Sequence, residues 1–216
     1  MKLLSVILAR SVWLGNLLDL NPRGKSLFSV LPILHESYKF RKLPLAEEMI
    51  DPSKGVKFID GDFQTKDGEL IEVSLTIYND GLVAETRSST RDTDDFLAEL
   101  LERICEIFNL PDHNYVIKEK LYLSQLFVTT DKSLELINPK LRNISKYLSG
   151  ICSCPYELGG LSFWADQTSK KPNPQFTFER AANVPFSEKR YFTSAGIHTD
   201  EHLDLLDKFE KALSSR

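Results

Sequence analysis

The chain has 216 residues, of which 42% are hydrophobic and 27% charged, and its formal net charge is -4. That length can bury most of its apolar surface, and the composition excludes extended disorder. The mild acidity argues against a general nucleic-acid binder, which needs a surplus of Lys and Arg on one face.

The opening residues, MKLLSVILAR, carry a short apolar run that Arg10 interrupts, with no clean small-residue cleavage site after it. They read as a buried first strand within Leu3 to Leu14 rather than a secretory leader. Asn21-Pro22-Arg23-Gly24 predicts a turn, followed by a helix from about Ser26 to Phe40. Val56 to Thr65 reads as a strand and Lys66-Asp67-Gly68 as a hairpin turn. Ile71, Val73, Leu75 and Ile77 then alternate with polar or smaller neighbours, the period of a half-buried strand. Asn79-Asp80-Gly81 predicts a second tight turn with a positive φ, leading into a strand over Leu82 to Arg87. A long amphipathic helix follows, with Phe96, Leu97, Leu100, Leu101, Ile104, Cys105 and Phe108 on one stripe, and Asn109-Leu110-Pro111 ends it.

The second half runs through the same order. Lys120 to Thr129 predicts a strand, about Ser133 to Ser149 a helix, and Leu158 to Ala165, Gln175 to Arg180 and Arg190 to Ser194 three strands. A last helix over about Asp200 to Leu213 buries Leu203, Leu206, Phe209 and Leu213. Residue identities recur as well. Lys25-Ser26-Leu27 matches Lys132-Ser133-Leu134, and the same spacing sets Pro32 on Pro139, Leu34 on Leu141, Lys39 on Lys146 and Phe40 on Tyr147. Ser88, Thr93, Asp94, Leu97 and Leu100 fall on Ser194, Thr199, Asp200, Leu203 and Leu206. The expected fold is therefore α+β: a single domain, 1–216, of two pseudo-repeated β-α-β-β-β-α units, with halves of roughly 1–112 and 113–216. Its antiparallel or mixed sheet is expected to carry the helices packed on one face.

Several motifs invite a chemical reading and fail it. Gly24-Lys25-Ser26 looks like the end of a phosphate-binding loop, but the glycine needed five residues earlier is Asp19, whose carboxylate repels a phosphate. Ser26 and Ser133 read instead as residues at helix starts, where a hydroxyl caps free N–H groups. His198-Thr199-Asp200-Glu201-His202 fits an inverted zinc-protease signature, yet the remaining acids Asp204, Asp207 and Glu210 lie on the same short helix. The plainer reading is that Thr199 caps this helix with Asp200 and Glu201 in its first turn, as Thr93-Asp94-Asp95 does in the first half. Cys152-Ser153-Cys154 spaces its thiols too closely for a tetrahedral zinc pair and reads as a pair of small buried thiols. Whether Cys152, Cys154, His198 and His202 bind a metal is left open; the expectation is no metal and no cofactor. Asp60-Gly61-Asp62 lacks the further oxygens of a calcium loop. Three cysteines, Cys105 included, are an odd number and fit reduced thiols in the cytoplasm. No stretch reaches the roughly 20 apolar residues of a membrane span, so no membrane partner is expected.

What remains is charge. The first-half helix is expected to expose Asp92, Asp94, Asp95, Glu99, Glu102 and Glu106, and the last helix Asp200, Glu201, Asp204, Asp207 and Glu210. Together they make an acidic patch that steers a basic protein partner. The leading expectation is a non-enzymatic binding domain of the inhibitor, immunity-protein or assembly-factor type. An enzyme with a site at the seam between halves is the alternative, with Arg87, Glu179 and Arg180 as candidates. Phe176, Phe178 and Arg180 share a strand face, and an internal ion pair is expected for Arg180. Nucleic-acid binding on the open sheet face is a second alternative, poorly served by Ser74, Thr76 and Tyr78 at outward positions. A homodimer is compatible with the sequence. Trp13, Tyr38 and Trp164 are expected to pack inside; exposed, they would mark an interface.

Overall fold

A computed structural model describes residues 1–16, 31–45, 51–108, 116–166, 168 and 175–214. Its elements run β1 (Lys2–Gly15), α1 (Leu31–Tyr38), β2 (Val56–Gln64), β3 (Leu70–Tyr78), β4 (Gly81–Thr86), α2 (Thr90–Phe108), β5 (Ile117–Thr129), α3 (Pro139–Cys152), β6 (Gly160–Phe163), β7 (Phe176–Arg180), β8 (Arg190–Ala195) and α4 (Thr199–Ser214). Single 3-10 turns sit at Pro52–Lys54, Leu134–Leu136 and Phe186–Glu188. The fold is α+β, and hydrogen bonding orders the strands β2-β3-β4-β1-β5-β8-β7-β6. The hairpin ladders β2/β3, β3/β4, β6/β7 and β7/β8 are antiparallel, as is β1/β4. The turn at Asn21–Gly24, the helix start at Ser26, Gly24-Lys25-Ser26 and Asn109–Pro111 lie outside the described residues.

The chain divides into two compact units: Leu8–Ser124, called the N-unit below, and Met1–Ile7 with Gln125–Arg216, the C-unit. The division falls inside β1 and β5, which each give residues to both.

In the N-unit, the period-2 pattern places Val73, Leu75 and Ile77 of β3 on the buried face, opposite Thr86, Ala84 and Leu82 of β4. Trp13 of β1 joins them beside Leu82. Leu34 and Tyr38 of α1, with Phe40 just beyond it, and Phe96, Leu97, Leu100, Leu101 and Cys105 of α2 close over that face. The Tyr38 ring meets Phe96 edge-on at 5.0 Å, and Phe63 meets Phe96 at 5.4 Å. Burial of each such side chain contributes roughly 1.5–3 kcal/mol before the entropy cost of ordering it.

Two local expectations need correction. The Tyr78–Gly81 turn contains no positive φ; Gly81 is needed because a Cβ there would lie 2.7 Å from the Trp13 carbonyl oxygen on the neighbouring strand. The positive φ belongs to Gly68, at 86°, in the β2/β3 hairpin. Helix α2 also begins earlier than expected. Ser89 accepts from the Asp92 N–H at 3.1 Å and so caps it, while Thr93 lies within the helix and is buried, bonded to Ser11 Oγ at 2.8 Å and donating to the Thr90 carbonyl.

In the C-unit, Leu126 and Val128 of β5, Phe178 of β7, Tyr191 of β8, Leu134, and Leu206 and Leu213 of α4 form a separate core, with Met1, Val6, Leu203 and Phe209 packed against it. Phe178 stacks on Tyr191 at 4.7 Å and meets Phe209 at 5.1 Å. The helix expected from Ser133 is broken in two. Ser133 caps only the turn at Leu134–Leu136; Asn138, extended at φ -145° ahead of a proline, then caps α3, where Pro139 occupies the first turn. Helix α3 ends at Cys152, followed by Ser153 in the left-handed region. Among the described residues, no helix is long and apolar enough to cross a membrane.

Candidate functional site

The acidic side chains of α2 are engaged inside the N-unit rather than presented as an exposed face. Asp94 is half-buried and accepts from Trp13 Nε1 at 2.8 Å and from the Tyr122 hydroxyl at 3.0 Å. Trp13 is buried, so its indole N–H depends on that carboxylate. The Lys120 ammonium lies 3.5 Å over the ring of the same indole. Asp95 pairs with Lys66 at 2.6 Å, Asp92 accepts from the Ser89 hydroxyl at 2.8 Å, and Glu99 pairs with Arg103 and accepts from the Tyr38 hydroxyl. Burial, with the Glu99 charge beside it, pushes the Tyr38 phenol well above its ordinary value. Only Glu102 and Glu106 of this set are exposed. The sequence shows the charges; their partners come from strands distant in sequence, which no helical periodicity reveals.

Helix α4 of the C-unit is different. Asp200, Glu201, Asp204 and Asp207 are all exposed. The helix starts at Thr199 itself, and the Glu201 carboxylate reaches back to the His198 N–H at 3.4 Å, a weak form of the capping box. Near the other end, Glu210 accepts from the Met1 ammonium and from the Thr130 hydroxyl, which hold its carboxyl below the ordinary range. His202, completely buried, is part of the core. Thr193 Oγ1 lies 2.9 Å from both the Thr177 carbonyl and His202 Nε2. A carbonyl can only accept, so the hydroxyl donates to Thr177 and accepts from a protonated Nε2. Among the described residues, no group of three or more His, Cys, Asp or Glu is placed to hold a metal ion.

Of the seam candidates, Glu179 and Arg180 sit on β7 of the C-unit and Arg87 follows β4 in the N-unit. Arg180 pairs with Glu157, donates to the Phe186 carbonyl at 3.1 Å, and stacks its guanidinium 4.6 Å over the Phe186 ring. Glu179 is exposed on the opposite side of the strand.

The most conspicuous surface feature is one the sequence reading did not single out. Ile144, Tyr147, Leu148 and Ile151 recur at spacings of three and four along α3 and so form one stripe, and that stripe faces solvent. Tyr147 is 71% exposed, Ile151 62% and Ile144 55%, whereas the only fully buried side chain of this helix is Ser145. The Leu134–Leu136 turn touches both α3 and α4, and Leu136 and Ile137 there are also exposed. Further along the C-unit, Phe163 is 58% and Trp164 69% exposed, which corrects the expectation that Trp164 packs inside. The spacing on α3 is legible in the sequence, but a stripe looks the same whether it meets a core or water.

The two cysteines at the end of α3 are not buried either. Cys152 and Cys154 are both exposed free thiols, and only Cys105 is buried. Cys152 leads the neighbours that raise the Tyr156 phenol above its ordinary value, with Cys154 adding to it. The Tyr156 N–H donates to Ser149 Oγ at 2.8 Å, which draws this loop back onto the last turn of α3.

Comparison with known proteins finds no matching family model and no match among curated proteins.

Proposed function

We propose that the chain is a non-enzymatic protein-binding domain that docks through the C-unit. The observation that carries this reading is the outward apolar stripe of α3, continued by Leu136 and Ile137. Contiguous exposed apolar surface rimmed by polar residues is costly to leave wet and marks interaction sites. Aromatic anchors such as Tyr147 are what such sites use for affinity. The carboxylates of α4, which shares the Leu134–Leu136 turn with α3, supply the field that speeds encounter with a basic partner. An inhibitor, immunity protein or assembly factor works in this way, by covering a partner rather than transforming it. We attribute the architecture to tandem duplication. In support, β-α-β-β-β-α occurs twice in the element order, and the strand order reads alike from both ends when β1–β4 are matched with β5–β8. Thr86 and Thr193 take the same role: each donates to the carbonyl one residue before its own cross-strand partner, Glu72 before Val73 and Thr177 before Phe178.

The test is a crosslinked pull-down from the native host with the intact chain, an Ile144→Ser/Ile151→Ser variant and an Asp200→Asn/Glu201→Gln/Asp204→Asn variant, each checked for unchanged circular dichroism. The expected result is one partner held by the intact chain and lost by the α3 variant. Its on-rate should fall as salt rises, with a flatter slope for the α4 variant. A partner held equally by all three, or self-association in sedimentation that survives the α3 changes, overturns the reading.

A further inference from the structure

Cys152 closes α3, Cys154 follows one residue later, and both thiols face solvent. Ser153 between them holds φ 53° and ψ 30°, and no cis peptide occurs among the described residues. With trans peptides on both sides, the distance between the flanking Cα atoms depends only on the φ and ψ of the middle residue. Helical values of either hand place those atoms about 5.4 Å apart, as the radius and rise of a helix dictate. Disulfides span Cα separations of roughly 4.4–6.8 Å, so the pair lies inside the range. An extended residue at 153 would stretch the separation to about 6.6 Å, near the upper edge. The helical turn at Ser153 that ends α3 therefore keeps the two Cα atoms within bridging range.

We propose that Cys152 and Cys154 form a redox-active dithiol that closes reversibly to a disulfide by exchange with low-molecular-weight disulfides such as oxidised glutathione. The Cys152 thiolate attacks one sulfur of oxidised glutathione, a bond forms from Cys152 to that sulfur, and the first glutathione thiolate leaves. The Cys154 thiolate then attacks the Cys152 sulfur, closing the ring and expelling the second glutathione thiolate. The protein gives up two protons and two electrons, and one glutathione disulfide becomes two thiols. The reverse reaction restores the dithiol. Closing so short a loop removes little chain entropy, so this bond adds little stability and stays easy to open, as suits a switch and not a staple. Its position at the end of α3 puts it one residue from Ile151, the last member of the exposed stripe.

The experiment equilibrates the full chain in glutathione buffers of graded ratio, quenches with acid, alkylates the thiols, and reads intact mass and a peptide map. The intact chain should lose alkylation at Cys152 and Cys154 together, with no glutathione attached and the two joined within one peptide. Cys154→Ser should stop at a glutathione adduct on Cys152. Stable glutathione adducts on the intact chain, chain-to-chain disulfides, or persistent double alkylation at every ratio would each overturn the assignment.

Discussion

Helices α1 and α3 hold the same place in the element order, each after the strand that opens its run, yet α1 covers a core while most side chains of α3 are exposed. Helix α1 sends Leu34 and Tyr38 inward, and Phe40 beyond it seals the N-unit core. The residue matched with Phe40 is Tyr147, and it stands in water with Ile144, Leu148 and Ile151. By the same spacing Leu34 and Tyr38 fall on Leu141, half-buried, and Ser145, buried, so the exposed stripe of α3 lies on a different face from the one that α1 packs inward. Helices α2 and α4 differ as well: the carboxylates of α2 are tied to Trp13, Tyr122, Lys66 and Tyr38, while Asp200, Glu201, Asp204 and Asp207 of α4 are exposed, Asp207 pairing with the Met1 ammonium at 3.2 Å. Charge and hydrophobicity alone therefore do not say which side chains are engaged within a unit; contacts from elements distant in sequence decide it.

Substitutions can break that contrast, and the largest effect belongs to the N-unit core. Phe96→Ala should lower unfolding free energy by about 3–5 kcal/mol in a urea titration, because the void sits under two aromatic neighbours. Ile151→Ala should stay within about 0.5 kcal/mol. Equal losses would mean that α3 is packed as α2 is. Next come the matched threonines. Thr193→Val should cost about 1–3 kcal/mol, since it leaves the buried His202 Nε2–H and the Thr177 carbonyl without their hydroxyl, and Thr86→Val about 1 kcal/mol. A larger loss for Thr86→Val would sink the bonding assigned to His202. Asp94→Ala should cost about 1–2 kcal/mol with altered Trp13 fluorescence, against no measurable change for Asp204→Ala.

The smallest effect is one of pH. In the folded chain the Met1 ammonium and the Thr130 hydroxyl hold Glu210 below its ordinary value. The folded state then binds that proton more weakly than the unfolded chain does. Its stabilisation is complete above the ordinary glutamate value of about 4.3 and disappears as pH falls through the lower folded value. The stability gap between the intact chain and Glu210→Gln should accordingly be flat near neutrality and close on acidification. A gap that widens in acid would reverse the assignment.

Much of the architecture was legible because it rests on short-range periodicity. The alternation of Val73, Leu75 and Ile77 and the stripe from Phe96 to Cys105 each fix an element and its inward face. Misjudgements fell where a distant partner decides. Nothing near Asp94 in sequence announces Trp13 or Tyr122, and nothing near Ile144 announces that no core covers it. Backbone detail behaved likewise: Gly81 is demanded by a neighbouring strand, and Asn138-Pro139 overrode the apparent continuity of a helix from Ser133.

The partition inside β1 and β5 has a bearing on biogenesis. Met1–Ile7 precedes Leu8–Ser124 along the chain but belongs with Gln125–Arg216, which follows it, whereas Leu8–Ser124 is one uninterrupted stretch. Synthesis therefore delivers all of one unit before the bulk of the other emerges, and the Met1–Ile7 segment waits for its mates until Gln125 and the residues after it have been made.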